Sequence, residues 1–206
     1  MIWTKHNVLG DQLVTKLLKQ YKDYRFNSGN QTNPDTTMKQ CLEMSSAEVH
    51  ECVWDALRSG SFCYDYMITN MTPPHLSWYK EGDFYDWHID SYPIGGIEAN
   101  LSTTIFLNDD YEGGELTIKV GDTETSYKPK SGTAITYDTG LWHCVKPVTK
   151  GERKVVIVWS QSMVKDSFMR TQLIHLGREV EKLDGESKNT IEQIRINMIR
   201  QYGNIR

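Results

Sequence analysis

The chain has 206 residues, of which 38% are hydrophobic, 11% aromatic and 24% charged, with a formal net charge of −4. That length and apolar content suffice for one sizeable core, and the acidic balance, with a pI near 5.9, leaves no electrostatic footprint for nucleic acid. The mean hydropathy is −0.55, no run approaches the ~20 apolar residues of a membrane span, and Met1–His6 lacks the apolar centre of a secretory signal. A cytoplasmic protein with no membrane contact is the expectation.

In chain order, residues 9–24 carry Leu13, Val14, Leu17, Leu18 and Tyr21 at helical spacing, so an amphipathic helix is predicted. Residues 27–37 are polar and without period, which predicts a loop. A second helix is predicted over about 46–59, with Ser45 and Glu48 as a capping box and Gly60 just past its end. From 62 to 163 the pattern turns to short strands, predicted at 62–68, 75–80, 84–90, 100–107, 114–120, 124–128, 132–137, 142–147 and 153–161. Turn pairs such as Gly113-Gly114, Gly121-Asp122 and Ser131-Gly132 separate them. So many short strands indicate a barrel or a jelly roll. Helical periodicity returns at 165–183 and 189–201, with Asn189 and Glu192 as the second cap.

The predicted fold class is therefore mainly β with flanking helices. One domain spans 1–206, with N-terminal helices over 1–61, the β core over 62–163 and C-terminal helices over 164–206. The four cysteines, Cys41, Cys52, Cys63 and Cys144, form no Cys-x-x-Cys and are read as reduced, small hydrophobes.

Within the strand at 84–90, His88 and Asp90 stand two apart. Side chains at i and i+2 share a face, roughly 6.5–7 Å apart at Cα, so an imidazole and a carboxylate can converge on one point. A further His would complete the 2-His-1-carboxylate set that suits non-haem Fe(II) and leaves positions open. The β region holds only His75, His88 and His143. His75 follows Pro73-Pro74 in a loop-like setting, whereas His143 lies far enough along to sit on an opposite wall of the same barrel. Ten residues later Arg153 opens a strand whose face continues with Val155, Ile157 and Trp159. A guanidinium on an apolar inward face calls for an anion, and its flat fork matches a carboxylate.

His88-x-Asp90, His143 and Arg153 in this order resemble the 2-oxoglutarate/Fe(II)-dependent dioxygenases, and more narrowly their prolyl-4-hydroxylase-like, PKHD-type branch. The stretches Tyr79–Asp90, Leu101–Asn108, Tyr111–Leu116 and Lys146–Arg153 carry the likeness over about 62–175. The resemblance implies a double-stranded β-helix (jelly roll) core with His88, Asp90 and His143 on Fe(II). It implies that Arg153 and Tyr79 hold 2-oxoglutarate, that Thr103, Ile105 and Leu116 line the cosubstrate pocket, and that Tyr85 and Trp159 face the substrate. A tyrosine sometimes found at the position of Ile105 is absent, leaving that carboxylate to Arg153 and Tyr79. The implied reaction uses O2, with ascorbate as an accessory reductant, to hydroxylate a C–H bond while 2-oxoglutarate becomes succinate.

Prolyl residues in a peptide or protein are the targets the resemblance offers. Two other readings compete: a zinc-dependent hydrolase, which would need a separate general base, and a non-catalytic jelly-roll binding module. The loops at 91–99, with Gly95-Gly96 as a hinge, and at 27–37 are candidate lids.

Overall fold

The computed structural model describes residues 1–29, 35 and 37–204. The chain opens with β1 (Ile2–Lys5), α1 (Asp11–Asp23), β2 (Asn27–Ser28), β3 (Lys39–Gln40), β4 (Leu42–Met44), α2 (Ala47–Ser59) and α3 (Phe62–Asp65). There follow β5 (Ile68–Met71), β6 (His75–Tyr79), β7 (Phe84–His88), β8 (Leu101–Phe106), β9 (Glu112–Gly113), β10 (Leu116–Val120) and β11 (Thr123–Tyr127). The last elements are β12 (Ala134–Asp138), β13 (His143–Val145), β14 (Val148–Lys150), β15 (Arg153–Ser162), α4 (Ser167–Val180) and α5 (Gly185–Tyr202).

Two antiparallel sheets face each other. The larger runs β1-β12-β8-β15-β6-β4-β2, with β5 also on β15, and the smaller runs β11-β10-β13-β7-β3. A two-stranded β14-β9 ladder closes one end. This is the jelly roll with flanking helices that the strand pattern predicts. β15 shows how it is held. Val155 packs between the sheets with Phe106, Leu116 and Ile135. Its neighbours Val156 and Val158 pack the other way, under Leu17 of α1, Val53 of α2 and Leu173 of α4. A strand buried on both faces reads as a continuous apolar run, and Val155–Val158 is one.

The structure departs from the sequence reading in several places. Residues 1–61 are not helical throughout: β1 pairs with β12 and β4 with β6, while β3 pairs with β7. Strands of two to four residues with polar members leave no period to read. The expected strand at 62–68 is a helical turn followed by β5, because Phe62 and Tyr66, four apart, are both buried while Tyr64 is exposed. The cap of α2 is Ser46, whose hydroxyl accepts from Val49 N at 3.3 Å; Ser45 donates instead to Pro74 O. α5 starts at Gly185, before the expected Asn189 cap. Of the polar loop at 27–37, residues 30–34 and 36 lie outside the described residues, and Asn27–Ser28 form β2. The four cysteines are free, with Cys41 and Cys144 buried. No helix among the described residues is long and apolar enough to cross a membrane.

The C-terminal helices lock together through one cation. Arg195 of α5 is buried and donates to Leu173 O at 3.1 Å, Tyr64 Oη at 2.9 Å and Glu192 at 2.9 Å. Gly177 of α4 makes room for it: a Cβ there would stand 2.9 Å from Arg195 Nε. Overpacking against a pinned group costs about 1–3 kcal/mol, set against the ~1 kcal/mol alanine gains over glycine in a helix. Gly177→Ala is therefore expected to lower the urea midpoint; a higher midpoint would show that Arg195 is free to move aside.

Candidate active site

Strand register brings the two histidines together. β13 pairs antiparallel with β7, and His143 stands directly opposite His88. Directly opposed residues point to the same face with Cβ atoms about 4.5–5.5 Å apart, and the imidazole centroids are 4.1 Å apart. His143 is thus on the adjacent strand of the same sheet, not on the far wall. Each ring is oriented identically. His88 Nδ1 meets Asp86 O at 2.7 Å and His143 Nδ1 meets Leu141 O at 2.9 Å. A carbonyl only accepts, so each Nδ1 carries a proton and each Nε2 is the nitrogen turned toward the other ligand atoms. Burial, then the neighbouring His143, push the His88 imidazole down to about 4, which keeps its Nε2 lone pair free at neutral pH.

Asp90 arrives by a different route from the one the sequence suggests. β7 ends at His88, so Asp90 lies in the following loop rather than two steps along a strand. Its carboxylate is fixed by donors from the opposite sheet. Ser102 Oγ of β8 and Trp159 Nε1 of β15 both donate to Oδ2, at 2.7 and 2.8 Å. Oδ1 is thereby turned toward the histidines, 3.8 Å from His88 Nε2 and 3.7 Å from His143 Nε2. The three ligand atoms lie within 4.8 Å of one another. Two imidazoles and one carboxylate on one side of a point suit non-haem Fe(II).

The triad opens on a cavity of about 800 Å³ that also contains Tyr79, Tyr85, Leu116, Arg153 and Trp159. Arg153 is 1% exposed, and its Nε and Nη1 donors find no partner among the described residues. The rings of Tyr79 and Phe106 flank its guanidinium at 4.9 and 5.3 Å. A buried cation with open donors is a seat for an anion. Burial raises the Tyr79 phenol well above its ordinary value, so its hydroxyl remains a donor. Gly114, at φ +64°, makes room beside them, since a Cβ there would lie 3.2 Å from Arg153 Cδ.

The fit places Thr103 and Ile105 elsewhere. Side chains alternate along β8: Ile105 enters the core under the helices, and Thr103 bonds Thr136 at 3.1 Å. Thr104, on the other face, lines the cavity, and Phe106 is the β8 residue against Arg153. The sequence reading also missed Tyr137, Lys39, Glu43 and His75, all on the cavity wall. Lys39, Cys41 and Glu43 are buried in alternation with Gln40 and Leu42, a period-2 signal hidden because charged residues occupy the inward positions. Of the expected lids, Ser91, Pro93, Ile94 and Gly95 line the cavity.

The profile of the 2OG-Fe(II) oxygenase superfamily matches residues 74–161. A PKHD-type hydroxylase of Sphingopyxis alaskensis is 32% identical over 210 residues, covering 94% of this chain and 93% of that one. The chain belongs to the PKHD-type hydroxylases. Another, from Shewanella baltica, is 30% identical over 213 residues, covering 97% and 94%. A Pseudomonas putida prolyl-4-hydroxylase shares the fold, with a TM-score of 0.59 at 18% identity over 78% of this chain and 92% of that one. A prolyl hydroxylase from Trichoplax adhaerens, solved with a hypoxia inducible factor peptide fragment, has a TM-score of 0.63 at 20% identity, covering 81% and 86%. This PKHD-type hydroxylase is accordingly an oxidoreductase using Fe(II), 2-oxoglutarate and O2, and the hydrolase and binding-module readings fall.

The clamp on Asp90 generates a prediction. Removing an outer hydrogen-bond partner of a ligand typically costs 10–100-fold in metal affinity. Trp159→Phe and Ser102→Ala should each weaken Mn(II) binding about tenfold, read from the electron paramagnetic resonance signal of free Mn(II), and Ser102→Thr should restore most of it. Equal affinity in all four proteins would mean that Asp90 is held by other forces.

Proposed function

We propose that the protein hydroxylates an unactivated C–H bond of a prolyl residue in a peptide or protein, converting 2-oxoglutarate and O2 to succinate and CO2. The observation that carries this reading is the buried Arg153 with unmet donors, in one cavity with the His88, Asp90 and His143 triad. A plain metal site has no use for such a cation; a dicarboxylate that must lie beside the metal does. When bound, Fe(II) supplies the O2-dependent oxidation.

His88, Asp90 and His143 would hold the metal, and the cavity beside them has room for the cosubstrate. Arg153 receives the carboxylate remote from the metal, and the Tyr79 hydroxyl donates to the same group. Leu116 and Phe106 keep water from that ion pair, which strengthens it. Tyr85 stacks on His88 with centroids 3.5 Å apart and planes at 13°, while Trp159 stands on the other side of the mouth with the His75 ring 5.6 Å away. These rings offer flat apolar walls for a pyrrolidine. The prolyl assignment draws its support from these walls and from the prolyl hydroxylases among the structural relatives.

Arg153→Ala removes at least one charge-assisted hydrogen bond worth about 1.5–3 kcal/mol, so the KM for 2-oxoglutarate should rise at least roughly tenfold while Mn(II) affinity stays near normal. An unchanged KM would refute the anchor. The reaction is checked by succinate release with Fe(II), ascorbate and 2-oxoglutarate: none is expected from Asp90→Ala, and wild-type release no greater than that control would overturn the hydroxylase reading. A peptide library scanned for a gain of about 16 Da, one oxygen atom, tests the prolyl target; a product set without prolyl residues would overturn that part alone.

A further inference from the structure

The cavity wall includes a limb made by residues other than the triad, Arg153 and Tyr79. Its wall is the segment where the chain leaves β3 in the small sheet and enters β4 in the large one. Lys39 and Glu43 project inward there, 4% and 8% exposed, with Lys39 Nζ 2.6 Å from Glu43 Oε1. Lys39 Nζ also stands 4.7 Å from the centroid of Tyr85, the ring stacked on His88. Thr72, His75, Ser45 and His50 line the same cavity.

Taking two charges out of water costs several kcal/mol per ion, and a buried pair seldom recovers more than that. Fold stability therefore gives little reason to keep one here. What the pair does is set the charge of the limb. Fe(II) and Arg153 balance Asp90 and the two carboxylates of 2-oxoglutarate, so the loaded inner cavity is neutral. Lys39 with Glu43 makes the limb neutral as well, and burial holds His50 and His75 below the ordinary imidazole range, so they add no charge at neutral pH.

We propose that the Lys39–Glu43 pair is the charge-selectivity element of the substrate limb, admitting uncharged polar groups beside the reacting residue and turning away ammonium and carboxylate groups, alone or together. This rests on the hydroxylase reading above. An incoming carboxylate would compete with Glu43 for Lys39, and an incoming ammonium would compete with Lys39 for Glu43, each at the cost of the buried 2.6 Å pair. A peptide amide adds a donor and an acceptor and leaves the pair closed. Either half alone should then invert the preference.

The probes are three blocked tripeptides, acetyl-Xaa-Pro-Ala-amide with Xaa as alanine, glutamate or lysine, and free L-proline. Dissociation constants are measured by calorimetry on protein loaded with Mn(II) and 2-oxoglutarate under argon, so the readout is binding and not turnover. The unaltered protein should bind the alanine peptide about tenfold more tightly than the other three probes. Glu43→Gln should favour the glutamate peptide, and Lys39→Met the lysine peptide, each by about tenfold. If a single variant does not fold, the exchanged pair Lys39→Glu with Glu43→Lys keeps neutrality and should keep the alanine preference. The same order of affinities in all variants, tighter binding of free L-proline, or no binding of any probe overturns the proposal. Succinate formation by the unaltered protein without any peptide is recorded separately, and only its absence counts against the hydroxylase reading.

Discussion

The Asp90 carboxylate is held by two donors from the sheet opposite its own, and the functional geometry depends on that crossing. His88 and His143 are set by a backbone ladder, which is stiff and costs the site nothing extra. Asp90 has no ladder, since its strand ends at His88. Without Ser102 and Trp159 on Oδ2, Oδ1 would have no reason to face the imidazoles. The donors come from β8 and β15, so the spacing between the two sheets is also the spacing of the ligand set. The apolar layer of Phe106, Leu116, Ile135 and Val155 keeps that distance, and packing there is coupled to metal-site geometry through a pair of hydrogen bonds.

Arg153 shows the same dependence from the other end of β15. It stands at the first position of the strand whose seventh residue, Trp159, fixes Asp90. Both project between the sheets because six positions separate them, an even number. One strand thus sets both the anion seat and the orientation of the carboxylate ligand. The strand is buried on both faces and flanked by β8 and β6, so neither end can shift without disturbing the core under the helices.

Much of this was legible in the sequence, for identifiable reasons. The clustering of His88, Asp90 and His143 and the burial of Arg153 were readable because such residue types are sparse in the β region and stand at telling spacings, and the β15 face followed from strict alternation. What misled was the assumption that alternation continued where a strand had ended: Asp90 converges through side-chain bonds, not through strand period. Thr103 was one residue from Thr104, and on a strand one residue is the opposite face. The short strands before residue 45 were illegible because two to four residues carry no readable period. Lys39 and Glu43 escaped because inward charges look like a solvated edge until their pairing is visible.

That last omission divides the molecule in a useful way. The superfamily profile covers 74–161, which holds all three triad residues, Arg153, Tyr79 and both donors to Asp90. Lys39, Glu43, Ser45 and His50 lie before it and reach the cavity only because β3 and β4 cross from one sheet to the other. Within the profiled core a shift of the triad would disable the reaction. The crossing segment touches the cavity without touching the metal ligands directly, separated from His88 by the Tyr85 ring. Residues there can change what is admitted and leave the ligand geometry intact. A fold in which part of the cavity wall comes from a stretch of chain that holds none of the triad residues can take new substrates by altering that stretch and keeping the triad.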